Sequence, residues 1–325
     1  MFFKGSAMKK FVFTFLMFIC FGFFVFPADQ QLTIYTLKGP SGVGMIQLFS
    51  KLPTAKGFKI KIEALADSQQ MAARLISGEA KIGILPPNVA AKLASTGKPI
   101  QIAAVTGEGM LSLLSNSNSV TDIKSLKGKT VSVSGQGAVP EFVFKKILIA
   151  NKLNPDKDLK LDYSLAYPEI AQSLIAGRIE NAILPEPFAT MALSGNKNIR
   201  KVGDIQEEWA KAGGSKNYPI TVLVVNADFA KENPKLIETI MNSIKNSIDW
   251  VKKDPKAAGT LVEKYKLGPG ASEITAAIPS SNYNFIRATD AKNDLVELFT
   301  IFLDFAPDSI GGSLPKDDFY LKTGN

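Results

Sequence analysis

The stretch Leu174–Pro187 reads LIAGRIENAILPEP, and its reading decides the fold because Leu75–Asn88, LISGEAKIGILPPN, aligns with it without a gap. Gly78 matches Gly177, Ile84 matches Ile183, Leu85 matches Leu184 and Pro86 matches Pro185, at a constant offset of 99 residues (177 less 78). The match extends to Ala72/Ala171 and Ala90/Ala189, so the chain carries an internal repeat. In each copy a small residue and a glycine end an apolar-striped helix, glycine being the residue that relaxes into a left-handed cap. A short apolar run then reads as a buried strand. Proline stops it, and Val89, Ala90, Leu93 or Phe188, Ala189, Leu193 reopen a helix. Open α/β sheets bind ligands outside the carboxyl ends of their strands, so two copies of one strand-to-turn unit imply two facing α/β lobes. The plainer alternative for these residues is that Gly and Pro only punctuate βα units; the duplication stands either way.

The 325 residues, 46% hydrophobic and 21% charged, suffice for one large or two medium cores. Ahead of them, Lys9 and Lys10 precede an uncharged run from Phe11 to Phe26, long for a signal core and short for a membrane span. Residues 1–28 are read as a signal peptide cleaved near Ala28, which places the protein in the periplasm or another extracytoplasmic space. The lone cysteine, Cys20, lies inside this run. Ile19 before it and the continuing apolar core after it make a lipid anchor at Cys20 the lesser alternative. Without the leader the net charge falls from +8 to +5, because Lys4, Lys9 and Lys10 leave and no acid does. The remaining lysines are scattered pairs such as Lys59/Lys61 and Lys252/Lys253, without the continuous basic groove and interleaved aromatics that nucleic acid requires.

Along the chain, Leu32–Leu37 alternates as a strand, and Gly39, Pro40, Ser41 and Gly42 turn it into an apolar helix expected over Val43–Leu52. Such a turn either presents N–H groups to a polar ligand or is an ordinary βα turn. Lys59–Ala64 is the next strand, and Asp67 or Ser68 caps the following helix. Gly107 and Gly109 suit a crossing between lobes. Ser134, Gly135, Gln136 and Gly137 repeat the first turn ahead of Pro140, and Tyr167 opens the helix of the second repeat copy. Gly128-Lys129-Thr130 is not a phosphate loop, since it precedes its strand and lacks the earlier glycine. Ile220–Asn226 reads as the return crossing. Pro234–Lys253 and Pro255–Tyr265 read as helices, and Leu295, Leu298, Phe299, Phe302 and Phe305 form a core stripe at helical spacing.

The runs LKGKTVSVSGQGAVPEFVFKKIL from Leu126 and AYPEIAQSLIAGRIENAILPEPFATMAL from Ala166 resemble the solute-binding proteins of bacterial ABC importers, in the branch that handles nitrate, sulfonates, taurine and thiamine precursors. The resemblance covers about Leu32 to Lys253. It implies a two-lobe clamshell of two doubly wound sheets joined by two crossing segments, with 29–110 and 225–325 in lobe 1 and 111–224 in lobe 2. It further implies a monomeric receptor that is not an enzyme, takes no cofactor, traps a small organic solute by hinge closure and delivers it to an inner-membrane ABC permease. Carried onto this chain, the ligand-binding turns are Gly39, Pro40, Ser41 and Gly42, Asp67 and Ser68, Pro87 and Asn88, Ser134, Gly135, Gln136 and Gly137, Tyr167 and Glu186. None of the four arginines, Arg74, Arg178, Arg200 and Arg287, falls in these turns, and Glu141, Glu169 and Glu186 do or lie nearby. That balance favours a neutral or amine-bearing ligand over a strong anion.

The fungal thiamine-pyrimidine synthase is similar to these receptors but uses histidine and a cysteine cluster. With no histidine in the chain and its only cysteine in the leader, that chemistry and His-based nucleophile schemes are excluded. The alternative function is a secreted hydrolase using two of Glu141, Glu169 and Glu186 as paired acid and base.

Overall fold

The computed structural model describes residues 29–322; the leader, Cys20 and the expected cleavage site lie outside the described residues. Eleven strands are described: β1 (Gln30–Leu37), β2 (Phe58–Leu65), β3 (Ile82–Leu85), β4 (Ile100–Glu108), β5 (Leu111–Ser115), β6 (Thr130–Val133), β7 (Lys160–Asp162), β8 (Asn181–Pro185), β9 (Arg200–Asp204), β10 (Pro219–Asn226) and β11 (Ile286–Arg287). They form a six-stranded sheet of order β11-β4-β10-β3-β1-β2 and a five-stranded sheet of order β7-β6-β8-β5-β9. The two copies of the repeat thus lie in different sheets, β3 in the first and β8 in the second. The orders correspond strand for strand: β2-β1-β3-β10-β4 against β7-β6-β8-β5-β9. In each, one antiparallel strand, β10 or β5, sits beside the repeat strand, and it is the strand that has just arrived from the other sheet.

Twelve α-helices accompany the described strands: α1 (Pro40–Gly44), α2 (Ser68–Ser77), α3 (Pro87–Ser95), α4 (Val139–Ala150), α5 (Tyr167–Ile175), α6 (Phe188–Gly195), α7 (Ile205–Lys211), α8 (Ala227–Glu232), α9 (Pro234–Lys253), α10 (Pro255–Tyr265), α11 (Ala271–Ala277) and α12 (Lys292–Phe305). Both repeat helices end as their composition requires. Gly78 and Gly177 take positive φ, 80° and 69°, and donate back to Leu75 and Leu174. The expected helix over Val43–Leu52 forms differently: α1 starts at Pro40 and stops at Gly44, and a 3₁₀ turn succeeds it over Ile46–Phe49. Pro40 fits the first helical position, and three glycines in six residues (Gly39, Gly42, Gly44) keep α1 short.

The outward crossing occupies Gly109 and Met110, between β4 and β5, both at positive φ. A Cβ on Gly109 would fall 2.1 Å from Gln206 Cδ, so only glycine fits there without moving that side chain. The return crossing is β10, which pairs with β4 from Pro219 to Asn226. A division at 224/225 therefore cuts a strand, and the chain has already joined the first sheet at Pro219.

Helix α12 links the two halves of the core. One apolar cluster runs from Tyr35, Leu85 and Val105 at the first sheet, through Leu295, Phe299 and Phe302, to Phe142 and Val133 at the second. Phe142 on α4 meets Phe302 edge-on at 4.9 Å and stacks with Phe305 at 5.9 Å. The C-terminal segment thus packs on both sheets and not on the first alone, because its stripe is wide enough to cover α3 and α4 together. Phe302 is fully buried, so Phe302→Ala should cost about 3–5 kcal/mol. A lowered urea midpoint checks this; an unchanged midpoint contradicts the role of α12 as shared core.

Candidate functional site

The turns at the carboxyl ends of β1, β3, β6 and β8 are each held by identifiable contacts, and those of β3 and β6 meet across the two sheets. Gly39 N–H donates to Leu267 O at 2.7 Å. Gly42 lies so close to the strand end that a Cβ would sit 2.8 Å from Leu37 O. Pro40, Ser41 and Gly42 are therefore packed helix residues and not an open loop. Asp67 is the N-cap of α2, its Oδ1 accepting from Gln69 N and Gln70 N at 3.0 and 2.9 Å. Ser68 is the first residue of that helix.

Pro86 caps α3 and Pro87 begins it, which puts Asn88 in the first turn with 6% of its surface exposed. Its Nδ2 donates to Gly137 O at 3.1 Å, a hydrogen bond from the first sheet's turn to the second's. Ser134, Gly135, Gln136 and Gly137 form the loop ahead of α4, Gly135 and Gly137 having φ of 80° and 76°. The loop is fixed from behind. Gly137 N donates to Glu141 Oε2 at 2.6 Å, and the other oxygen of Glu141, 4% exposed, pairs with Lys145 at 2.6 Å. This answers the cost of burying a lone carboxylate.

Tyr167 opens α5 and stacks on Phe188 at 6.1 Å. Burial pushes its phenol well above the ordinary range. Glu186, 5% exposed, follows β8, and its Oε2 accepts from Thr190 N at 3.0 Å. It is thus a cap for α6. Burial drives its carboxyl upward, only partly offset by the bonds from Thr190 and the charge of Lys201. The same carboxylate raises the already burial-raised phenol of Tyr283, from the first-sheet side. There α11 packs against α6, a second contact across the cleft.

Sequence reasoning missed four cleft residues. Tyr283 and Tyr218 stand in turn-rich stretches without periodicity, and their burial comes from distant elements. Tyr218 packs edge-on to Trp209 at 5.6 Å, and its buried hydroxyl has no hydrogen-bond partner. Glu108, 3% exposed, stands at the outward crossing and accepts from Asn284 Nδ2 at 2.7 Å. Its carboxyl is raised chiefly by burial. The apolar run of β4 leading into Glu108 signals a buried strand and not a site. Among the described residues no group of three His, Cys, Asp or Glu side chains is placed to hold a metal. A groove of about 800 Å³ lies elsewhere, between α8, α9 and the C-terminal segment near Tyr320, and touches none of the expected site residues.

A family model described as NMT1/THI5 like matches residues 54–258 of this chain. The chain belongs to the NMT1/THI5 like family. Among curated proteins, YtlA of Bacillus subtilis (strain 168), named as a binding protein, is 24% identical over 162 residues; the match spans 45% of this chain and about half, 46%, of YtlA. Among solved structures, an ABC transporter protein of Parabacteroides distasonis superposes with a TM-score of 0.79 at 22% identity, covering 91% of this chain and 100% of that one. The periplasmic aliphatic sulphonate binding protein SsuA of Escherichia coli gives 0.72 at 16%, over 91% and 94%. The periplasmic nitrate-binding protein NrtA of Synechocystis PCC 6803 gives 0.65 at 12%, over 87% and 85%. These likenesses establish the two-sheet α/β fold for this NMT1/THI5 like chain. Among its described residues no helix is long and apolar enough to cross a membrane.

Because Glu186 has a folded pKa above the ordinary value of 4.5, the stability linked to its protonated form is present below that value and lost as pH rises through the folded pKa. Glu186→Gln keeps an acceptor for Thr190 N and removes the buried charge. Its melting temperature should exceed the wild type's at pH 7, and the gap should close as pH falls below the ordinary value. A lower melting temperature at pH 7 contradicts this.

Proposed function

We propose that the chain is an extracytoplasmic solute-binding receptor of an ABC importer, which traps a small organic solute between its two sheets by hinge closure and passes it to a membrane permease. The observation that carries this is the Asn88–Gly137 bond, which joins the carboxyl-end turns of two separate sheets. Among the described residues the chain crosses between those sheets at Gly109–Met110 and at the start of β10, and besides the shared packing of α12 the two bodies meet again at their ligand-side turns. A ligand touching both bodies stabilises the closed arrangement through contacts available only there. The family membership and the neighbours' stated roles as sulphonate- and nitrate-binding proteins support the same reading.

Gly39 to Gly42, Asn88, the 134–137 loop, Tyr167 and Glu186 surround the solute in this reading; Asp67 and Ser68 form the cap beside it. A cleaved leader at 1–28, a periplasmic location and a monomeric state belong to the same proposal. The hydrolase alternative loses its acid and base. Glu141 is bound by Lys145 and Gly137 N, Glu169 accepts from Ala166 N at 3.0 Å, and Glu186 caps α6.

Three arginines have local partners away from the turns: Arg74 with Glu63, Arg200 with the carbonyls of Ser117 and Val120, and Arg287 with Glu238. With no guanidinium in the turns, the receptor is expected to take a neutral or amine-bearing solute. Protein purified under native conditions and then unfolded should release one small organic molecule, identified by mass spectrometry. Adding that molecule back should raise the melting temperature. No released molecule, together with no thermal response to a panel of neutral, cationic and anionic metabolites, contradicts the proposal.

A further inference from the structure

The backbone groups of the outward crossing divide between the two bodies. Glu108 N donates to Asn282 O at 3.1 Å, on the first-sheet side. Met110 is gripped from the second-sheet side at both ends of its backbone: its N–H donates to Gln206 Oε1 at 2.8 Å, and its carbonyl accepts from Glu186 N at 3.0 Å. Gln206 stands in the first turn of α7, which packs on β5 and β9. Between these two grips lies Gly109 alone.

The same side chain grips the return crossing. Gln206 Nε2 donates to Asn217 Oδ1 at 3.3 Å. This amide is not free to turn round, because the Met110 N–H only donates and must face its oxygen end. Helix α7 also holds the segment just before: Gly214 N donates to Trp209 O at 3.0 Å, and the Trp209 ring lies against Tyr218. From Pro219 onward the chain is paired into the first sheet, with Pro219 opposite Glu108. Between the grips on this side lies Tyr218. The two residues left between grips are bonded to each other, since Gly109 N donates to Tyr218 O at 2.9 Å. Gly109 has a further part, because a Cβ there would strike Gln206 Cδ and keep the amide from lying across both crossings.

We infer that Gln206 is the bracket of an axle: by fastening Met110 and Asn217 to α7, it confines bending between the two bodies to the backbone of the bonded pair Gly109 and Tyr218. The inference rests on the hinge-closure reading and adds to it where the hinge lies and which side chain sets its stiffness. Hinges concentrate their torsional change in a few residues. Without the bracket, Met110 and Asn217 join the bending segment, and the range of relative orientations grows. Gln206 touches no solute in this scheme and is a positioning residue.

Spin labels on Gln69→Cys and Ser164→Cys, two exposed positions just past the carboxyl ends of the edge strands β2 and β7, report the distance between the bodies in a full chain carrying Cys20→Ser. The distance distribution is read on protein dialysed free of small molecules, with no solute added. Gln206→Leu keeps the bulk and removes both hydrogen bonds, so it should widen the distribution, while exchange of the Met110 amide speeds up about tenfold. Gln206→Glu should stay near the wild-type width, since its carboxylate still accepts from Met110 N and a turned Asn217 amide donates to its other oxygen. Asn217→Ala frees the return crossing alone and should widen the distribution less than Gln206→Leu does. Should Gln206→Leu fail to fold, Asn217→Ala against wild type decides. A wild-type width in Gln206→Leu or in Asn217→Ala, or a Gln206→Glu width equal to that of Gln206→Leu, overturns the inference. A wild type that responds to no solute defeats the receptor reading instead, because these widths are measured without one.

Discussion

The structure depends on a two-residue constraint. The chain must leave the first sheet at Glu108 and enter the second at Leu111 without stranding its backbone polar groups. Four different segments supply the partners. Glu108 N donates to Asn282 O, Gly109 N to Tyr218 O and Met110 N to Gln206 Oε1, while Met110 O accepts from Glu186 N. Positive φ at both Gly109 and Met110 makes the bend sharp enough for one strand's end to become the next strand's start. A buried crossing with unpaired amides would be destabilised. Here the pairings also pull Tyr218, Asn282 and Glu186 to the base of the cleft, so the crossing that separates the sheets also builds the floor of the site.

The turns around that floor are stiff for the same local reasons. Asp67 caps α2 as its place before the helix announces, while Glu186 caps α6, Glu141 ties down Gly137 and Glu169 accepts from Ala166 N, so the three glutamates that look chemical in the sequence organise backbone N–H groups. Rigid turns on two bodies with few connections suit a clamp, because preorganised groups lose little freedom on binding. Helix α12 adds a third link. Its aromatic stripe packs on α4 near the second sheet and on α3 near the first, so Phe142, Phe302 and Phe305 tie the two sheets together.

The two-sheet plan is legible in the sequence because duplication and periodicity are local signals. The aligned glycines, Gly78 and Gly177, cap their helices as their composition demands, and the 99-residue offset assigns β3 and β8 to separate sheets. The β-branched run Ile220–Asn226 announces the return strand, though not that pairing begins at Pro219. The site is legible only in part. Asn88 and Gly137 read as turn residues, but nothing in either segment discloses that they meet across 49 positions. Tyr283, Tyr218 and Asn284 are invisible, because their place is set by long-range packing and not by spacing. The apolar content after Gly39 suggests a longer helix than forms, and in the fold the glycines prevail.

A solute-binding receptor of this build requires a solute that sits between the two sheets and touches both. A crystal structure of the protein with the molecule it retains from native purification tests this most directly. Density is expected between Asn88 and the 134–137 loop on one side and Tyr167, Glu186 and Tyr283 on another, with contacts to both sheets. Density confined to one sheet, or lodged in the groove beside Tyr320, contradicts it.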